Sequence, residues 1–147
     1  MLTRFYADNF RCLVNFELEL TRLVVLMGSN GSGKSSVFEV LRRLQGFIGG
    51  ERVQTAFPGK ELTRWQTTRE QRFELDLTLK DGVSLRYLIV VEHEDGGAKS
   101  RVKEERLSEN GASLFERKLA EVQLFRDDHS EGPKFPYDWT SSAIATV

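Results

Sequence analysis

Residues 28–36 read Gly-Ser-Asn-Gly-Ser-Gly-Lys-Ser-Ser: a glycine, four residues, a second glycine, then lysine and serine. Glycines this close together let backbone N–H groups turn inward through torsions that a side chain forbids. Successive N–H groups facing one concavity make an anion site, and a helix beginning just after it adds unpaired donors and a partial positive charge. The pattern is the P-loop, and the chemistry it serves is the capture of a nucleotide's phosphates. Asn30, Gly31, Ser32 and Gly33 are expected to cradle the phosphates. Lys34 is expected to bridge the β- and γ-phosphates, the one catalytic role visible here. Ser35 is expected to ligate Mg²⁺ through its hydroxyl, and Ser36 to donate to the α-phosphate. The implied cofactors are ATP and Mg²⁺.

Such a loop needs a strand to deliver it and a helix to receive it. Residues 23–27 (Leu-Val-Val-Leu-Met) are apolar without alternation, as expected of a strand buried on both faces of a parallel or mixed sheet. Beyond the loop, Val37, Phe38, Val40, Leu41, Leu44, Phe47 and Ile48 fall at helical spacing, and Gly49-Gly50 supply a stop, which predicts a helix over 35–48. Residues 2–7 and 13–20 read as strands with one wetted face. Residues 51–70 read as a long polar excursion with a short helical piece. A meander follows: strands at 73–79, 83–92, 100–108, 113–117 and 119–126, with Asp81-Gly82, Asp95-Gly96-Gly97 and Asn110-Gly111 as turns. Residues 127–138 read as loop and 140–147 as the start of a helix. The expected fold is α/β: a P-loop lobe with a mixed core sheet, one P-loop helix and an antiparallel β-meander.

With 147 residues, 39% of them apolar and 29% charged, the chain has the composition of a globular domain. At that length folding hides roughly 68–70% of the extended chain's surface, enough for one core. The formal net charge of −1 gives no global field to gather nucleic acid, so DNA binding is possible but would need a local patch. Arg42 and Arg43 are such a candidate, read here as a solvated helix face. The single cysteine, Cys12, excludes an internal disulfide, and two histidines beside it argue against a structural zinc site. No apolar run approaches the ~18 residues of a membrane span, and a cytoplasmic setting is expected.

Three stretches imitate other motifs. Leu88-Ile89-Val90-Val91-Glu92 has the outline of a Walker B strand, but its acid is glutamate and the tight Asp81-Gly82 turn makes it a hairpin strand. Leu107-Ser108-Glu109-Asn110-Gly111 echoes a Leu-Ser-Gly-Gly signature, yet Asn-Gly between strand-like residues is a turn. Asp127-Asp128-His129 contains metal-ligating types in what reads as a charged loop.

The order of elements, with Asn9-Phe10-Arg11 ahead of the P-loop and a meander holding Glu104-Glu105-Arg106-Leu107 and Ser113-Leu114-Phe115 behind it, resembles the N-terminal lobe of ABC-class ATPases of the RecF/SMC type. These include AAA-labelled ATPases of DNA repair and phage defence. The resemblance implies that Arg11 lies near the nucleotide and that a glutamine-bearing loop senses Mg²⁺, for which Gln123 is the nearest candidate by order. It also implies that Ser141-Ser142-Ala143-Ile144 opens a helical lobe. Walker B acid, catalytic glutamate, signature and switch histidine are not found. In the family these come from a C-terminal lobe, and two nucleotides are sandwiched between two protomers. Residues 1–147 are thus expected to be an N-terminal nucleotide-binding lobe, a fragment or half of a split protein, that needs a C-terminal lobe and an ATP-dependent homodimer to hydrolyse ATP. A non-catalytic nucleotide-dependent interaction module is the alternative. A small P-loop kinase fits less well, since a meander stands where a helical lid would be, and the base-reading Asn-Lys-x-Asp of GTP switches is absent.

Overall fold

Alternating apolar and polar residues at the N-terminus build β1 (Leu2–Asp8), which turns through residues 9–15 into the short β2 (Phe16–Glu19). In the computed structural model, which describes residues 1–146 without the side chains of Asp95 and Thr146, these two strands open an eight-stranded sheet. The long excursion carries α1 (Lys34–Ile48), the single-turn α2 (Val53–Ala56) and a 3-10 turn at Gly59–Glu61. The meander then runs through β3 (Glu70–Thr78), β4 (Ser84–Glu94), β5 (Lys99–Glu109), β6 (Ala112–Lys118), β7 (Glu121–Phe125) and β8 (Glu131–Pro136).

Spatial order is β2-β1-β3-β4-β5-β6-β7-β8, and every neighbouring pair is antiparallel. The expected mixed core sheet is therefore corrected. Residues 23–27 pair with no described strand, and Leu23, Val25 and Met27 are 81%, 70% and 86% exposed. The period-two zigzag survives without a ladder, since Val24 and Leu26 turn inward to line an apolar groove with Leu18, Leu20 and Phe38. Apolar sequence reports a demand for burial; it does not report which neighbour supplies it.

Two other expectations change. The loop read at 127–138 contains β8, whose Pro133 and Pro136 disguised it. Proline removes a ladder donor and is tolerated on an edge strand, which β8 is. The helix read at 140–147 is only a 3-10 turn at Ile144–Thr146, and Val147 lies outside the described residues. Its backbone groups are engaged elsewhere. Arg117 donates to the carbonyls of Asp138 and Ser141, and Glu105 accepts from the Ser142 hydroxyl and the Ala143 N–H. Hairpin strands at 88–92 and a turn at Asn110-Gly111 agree with their reading, Phe73 pairing with Ile89 and both turn residues having positive φ.

The core lies between α1 and one face of the sheet. Val37, Val40, Leu44 and Phe47 of the helix meet Phe5, Ala7, Phe73, Ile89 and Val91, with Phe10 and Phe57 closing the ends. Phe57 stacks on Phe73 at 4.8 Å between ring centroids. Each such side chain contributes roughly 1.5–3 kcal/mol of burial, which is what fixes the helix on the sheet.

Under β5 and β6 the core is polar. Glu105 and Arg117 are both fully buried, 3.3 Å apart, and Glu105 also accepts from the Tyr87 hydroxyl. Removing one member of a buried pair leaves the other charge desolvated. Arg117→Ala is expected to lower unfolding free energy by about 3–5 kcal/mol in urea titrations, and Arg117→Met combined with Glu105→Leu to cost distinctly less. Equal losses in the two variants would show that packing, not charge, is the term at stake.

Candidate functional site

The site is assembled by two chain segments that meet at the head of α1. One is the glycine loop. Gly28, Gly31 and Gly33 have φ of 156°, 85° and 93°, and at Gly33 the left-handed torsion bends the chain straight into the helix. The other is the turn after β1, Asn9-Phe10-Arg11-Cys12, in which Asn9 and Arg11 also have positive φ. The two touch at Cys12. A Cβ on Gly33 would lie 2.9 Å from Cys12 Sγ, and Sγ itself sits 3.7 Å from Ser36 Oγ.

Between them is a hollow of about 210 Å³ lined by Cys12 and every residue from Asn30 to Ser36. The sequence-expected cradle residues Asn30, Gly31, Ser32, Gly33, Lys34, Ser35 and Ser36 are thus brought together. Ser32 N–H bonds the Ser29 carbonyl and Ser36 N–H bonds the Gly33 carbonyl. The N–H groups of Asn30, Gly31, Gly33, Lys34 and Ser35 make no hydrogen bond among the described residues. The helix has no side-chain cap and no acid in its first turn, and no carboxylate lines the hollow. An array of donors with no compensating acid is a site for an anion.

Lys34 lies across this loop. Its Nζ donates to the carbonyls of Gly28 and Ser29 at 2.6 and 2.7 Å and to Ser32 Oγ at 3.2 Å. Those acceptors hold the ammonium over the hollow, where phosphate oxygens can replace them. Ser35 is at the rim with its hydroxyl available to a cation, and Ser36, 7% exposed, forms the floor.

Arg11 and Gln123 are placed differently. The Arg11 guanidinium pairs with Glu61, which holds its charge and depresses the Glu61 carboxyl below its usual range. It borders the hollow next to the cradle rather than the cradle itself. Gln123 lies on β7 and its amide donates to the carbonyls of Leu124 and Gly132, with no contact to the loop. Glu92, the acid of the Walker B look-alike, pairs with Arg101. The helix arginines differ from a bare solvated patch. Both bond Glu39, whose carboxyl is drawn down to about 2, first by Arg42, and Arg43 also reaches the Ala56 carbonyl, tying α1 to the excursion.

Buried polar side chains with no role assigned from sequence support the wall, Asn9 of the Asn9-Phe10-Arg11 turn among them. Asn9 is fully buried: its amide donates to the carbonyls of Thr68 and Glu70 and its Oδ1 accepts from Thr63 N–H. Gln71 donates to the Asn9 carbonyl and meets His93 Nε2, whose other ring nitrogen meets Ser100. Burial lowers His93 to about 4, so it sits neutral at the end of this chain. Positive φ at an asparagine is the only sequence-legible hint, because Asn enters that region more readily than other side chains.

A larger hollow, about 530 Å³, lies elsewhere, on the sheet face away from α1. Its arginines are engaged: Arg72 with Glu74, Arg86 with Asp76 and Arg106 with Glu104. It offers alternating paired charges, with no array of free donors.

A glycine-bent donor loop, a helix head and a lysine held across both have the form of a P-loop, an element that binds phosphates in nucleotide-binding domains. Residues 23–142 match the family model described as "AAA domain, putative AbiEii toxin, Type IV TA system", and the chain belongs to that AAA domain family, one of nucleotide-binding, ATPase-like domains. No curated protein matches the chain in sequence.

At Gly33 the geometry is unforgiving, since φ of 93° disfavours any side chain and Cys12 occupies the space. Gly33→Ala is expected to destabilise the chain by about 1–2 kcal/mol and to weaken nucleotide binding. Adding Cys12→Ala should recover the steric part of the loss only. Urea titration with a parallel MgATP titration checks both, and an unaltered Gly33→Ala chain would contradict the assigned torsion.

Proposed function

We propose that the chain binds MgATP at Gly28–Ser36 as half of an ABC-type ATPase head. Lys34 spans the β- and γ-phosphates, Ser35 ligates Mg²⁺, and Ser36 takes the α-phosphate. The observation that carries the reading is the set of N–H groups of Asn30, Gly31, Gly33, Lys34 and Ser35, unpaired among the described residues, at an acid-free helix head with the Lys34 ammonium held over them. A triphosphate supplies the acceptors that this array lacks, and Mg²⁺ when bound neutralises the charge that builds between the outer phosphates.

Hydrolysis needs more than a cradle: a second metal ligand, a placed water and an electrophilic group at the γ-phosphate. Lys34 is the one cation that lines the hollow, and its lining holds no carboxylate to ligate the metal or orient a water. We assign the remaining groups to a C-terminal lobe, supplied by further residues or by a separate chain, and to a second protomer in an ATP-dependent homodimer. Support comes from residues 23–27, a strand-type segment with no ladder, flanked by Phe38 at 63% exposure. Leu23, Val25 and Met27 form an edge suited to a parallel neighbour and an apolar cover. The cellular roles that fit this class are DNA repair, chromosome maintenance and phage defence.

The reading is tested with the purified chain. Calorimetric titration should show MgATP binding without measurable turnover, and Lys34→Ala should weaken it by about 10–100-fold, the equivalent of one charged hydrogen-bonding group. Robust ATP hydrolysis that Lys34→Ala abolishes would contradict the assignment of the catalytic groups to another lobe. Light scattering with and without MgATP reads the dimer: a doubled mass supports the ATP-dependent association that an ATPase head and an interaction module both require, and an unchanged mass counts against it.

A further inference from the structure

The cradle does not end at Cys12. The same side chain also lines a second hollow of about 320 Å³, whose other walls are Arg11, Lys60, Glu61, Leu62, Arg64 and Trp65. Cys12 is thus a shared wall between the phosphate cradle and a larger recess, and three features give that recess a direction and a chemistry.

The first is the polarity of the cradle. Ser36, the residue assigned to the α-phosphate, is the one that meets Cys12, at 3.7 Å between Oγ and Sγ. The sugar and base therefore leave the cradle on the Cys12 side, toward the recess. The second is Trp65, whose large ring is 69% exposed on a segment that is otherwise tied down. Arg11 N–H bonds the Glu61 carbonyl at 2.7 Å, Thr63 N–H bonds Asn9 Oδ1 at 3.0 Å, and Gln66 N–H bonds the Thr63 carbonyl at 3.3 Å. An aromatic ring held in water by a fixed loop is a platform awaiting a flat partner. The third is the polar inventory. The one carboxylate in the lining of the recess, Glu61, is held by Arg11 and Arg43, whereas Lys60 and Arg64 form no ion pair among the described residues.

We propose that the recess behind Cys12 seats the nucleobase and ribose, with the base stacked on Trp65 and the Lys60 and Arg64 side chains drawing in the anionic nucleotide. The proposal rests on the phosphate assignment above and extends it from the triphosphate to the whole nucleotide. Stacking on one aromatic face discriminates little between bases, so Trp65 governs affinity for nucleosides over bare phosphate chains more than it governs the choice of base.

The test compares MgATP with magnesium tripolyphosphate, which shares the phosphate chain and lacks base and ribose, on the full chain and its variants. The wild-type chain should bind MgATP about tenfold or more tighter than tripolyphosphate. Trp65→Ala should remove most of that advantage and leave tripolyphosphate affinity unchanged, while Trp65→Phe keeps most of it. Tryptophan fluorescence should respond to MgATP and not to tripolyphosphate, and the response should vanish in Trp65→Phe, which keeps Trp139. Lys34→Ala should weaken both ligands, and that arm reads the phosphate assignment separately.

A Trp65→Ala chain that binds MgATP as wild type while Lys34→Ala does not would overturn the base site and spare the phosphate site. Loss of tripolyphosphate affinity in Trp65→Ala would assign the ring to folding of the loop and overturn it as well. Loss of single-stranded oligonucleotide binding in Trp65→Ala with MgATP affinity intact would make the recess a nucleic-acid contact instead. If the wild-type chain binds neither ligand, the phosphate reading falls and takes this one with it.

Discussion

The packing of α1 against the sheet is the interaction on which the rest depends. Val37, Val40, Leu44 and Phe47 are buried against Phe5, Phe73 and Ile89, and this holds the helix whether or not its first turn is capped. An isolated helix of 15 residues is marginal in water and would gain from a capping side chain. Here tertiary burial replaces the cap, so the first-turn N–H groups stay free for an anion. Arg43 completes the arrangement from the far side, binding Glu39, Glu61 and the Ala56 carbonyl, and so ties the helix to the loop that carries Trp65.

The wall facing the cradle depends on a second constraint, the buried polar chain from Asn9 through Gln71 to His93 and Ser100. It spans the turn before Cys12 and strands β3, β4 and β5, and ends on the Phe57 carbonyl. Its members are buried and bonded to one another, so a shift at Asn9 would strand several polar groups at once. Cys12 is positioned by this network as much as by its own contacts, with the adjacent Arg11 paired to Glu61.

What was legible in the sequence was whatever obeys a local rule. The helix emerged within one residue of its observed start because its apolar spacing is set by its own geometry, and the hairpins followed from Asp81-Gly82 and Asn110-Gly111, where the torsions demand glycine. The cradle residues emerged for the same reason: Gly28, Gly31 and Gly33 carry the positive φ that the motif needs. Illegible were the properties set by partners distant in sequence. Leu23 to Met27 read as a buried strand because their composition asks for burial, yet no described strand pairs with them. β8 was hidden by prolines that only an edge position permits. Residues 140–147 read as the start of a helix, and the Ser141 carbonyl and Ala143 N–H are held instead by Arg117 and Glu105. Trp65 and Cys12 carried no signal at all, since their roles arise only where two loops meet.

The central claim is that the free N–H groups at the head of α1 are the seat of a nucleotide's phosphates. Amide chemical shifts of the ¹⁵N-labelled chain, followed during a titration with MgATP, test it directly. The account requires the largest changes at the amides of Asn30, Gly31, Gly33, Lys34 and Ser35, saturating together. Changes centred instead on Arg72, Arg86 and Arg106 of the opposite sheet face, with the glycine loop unmoved, would contradict it.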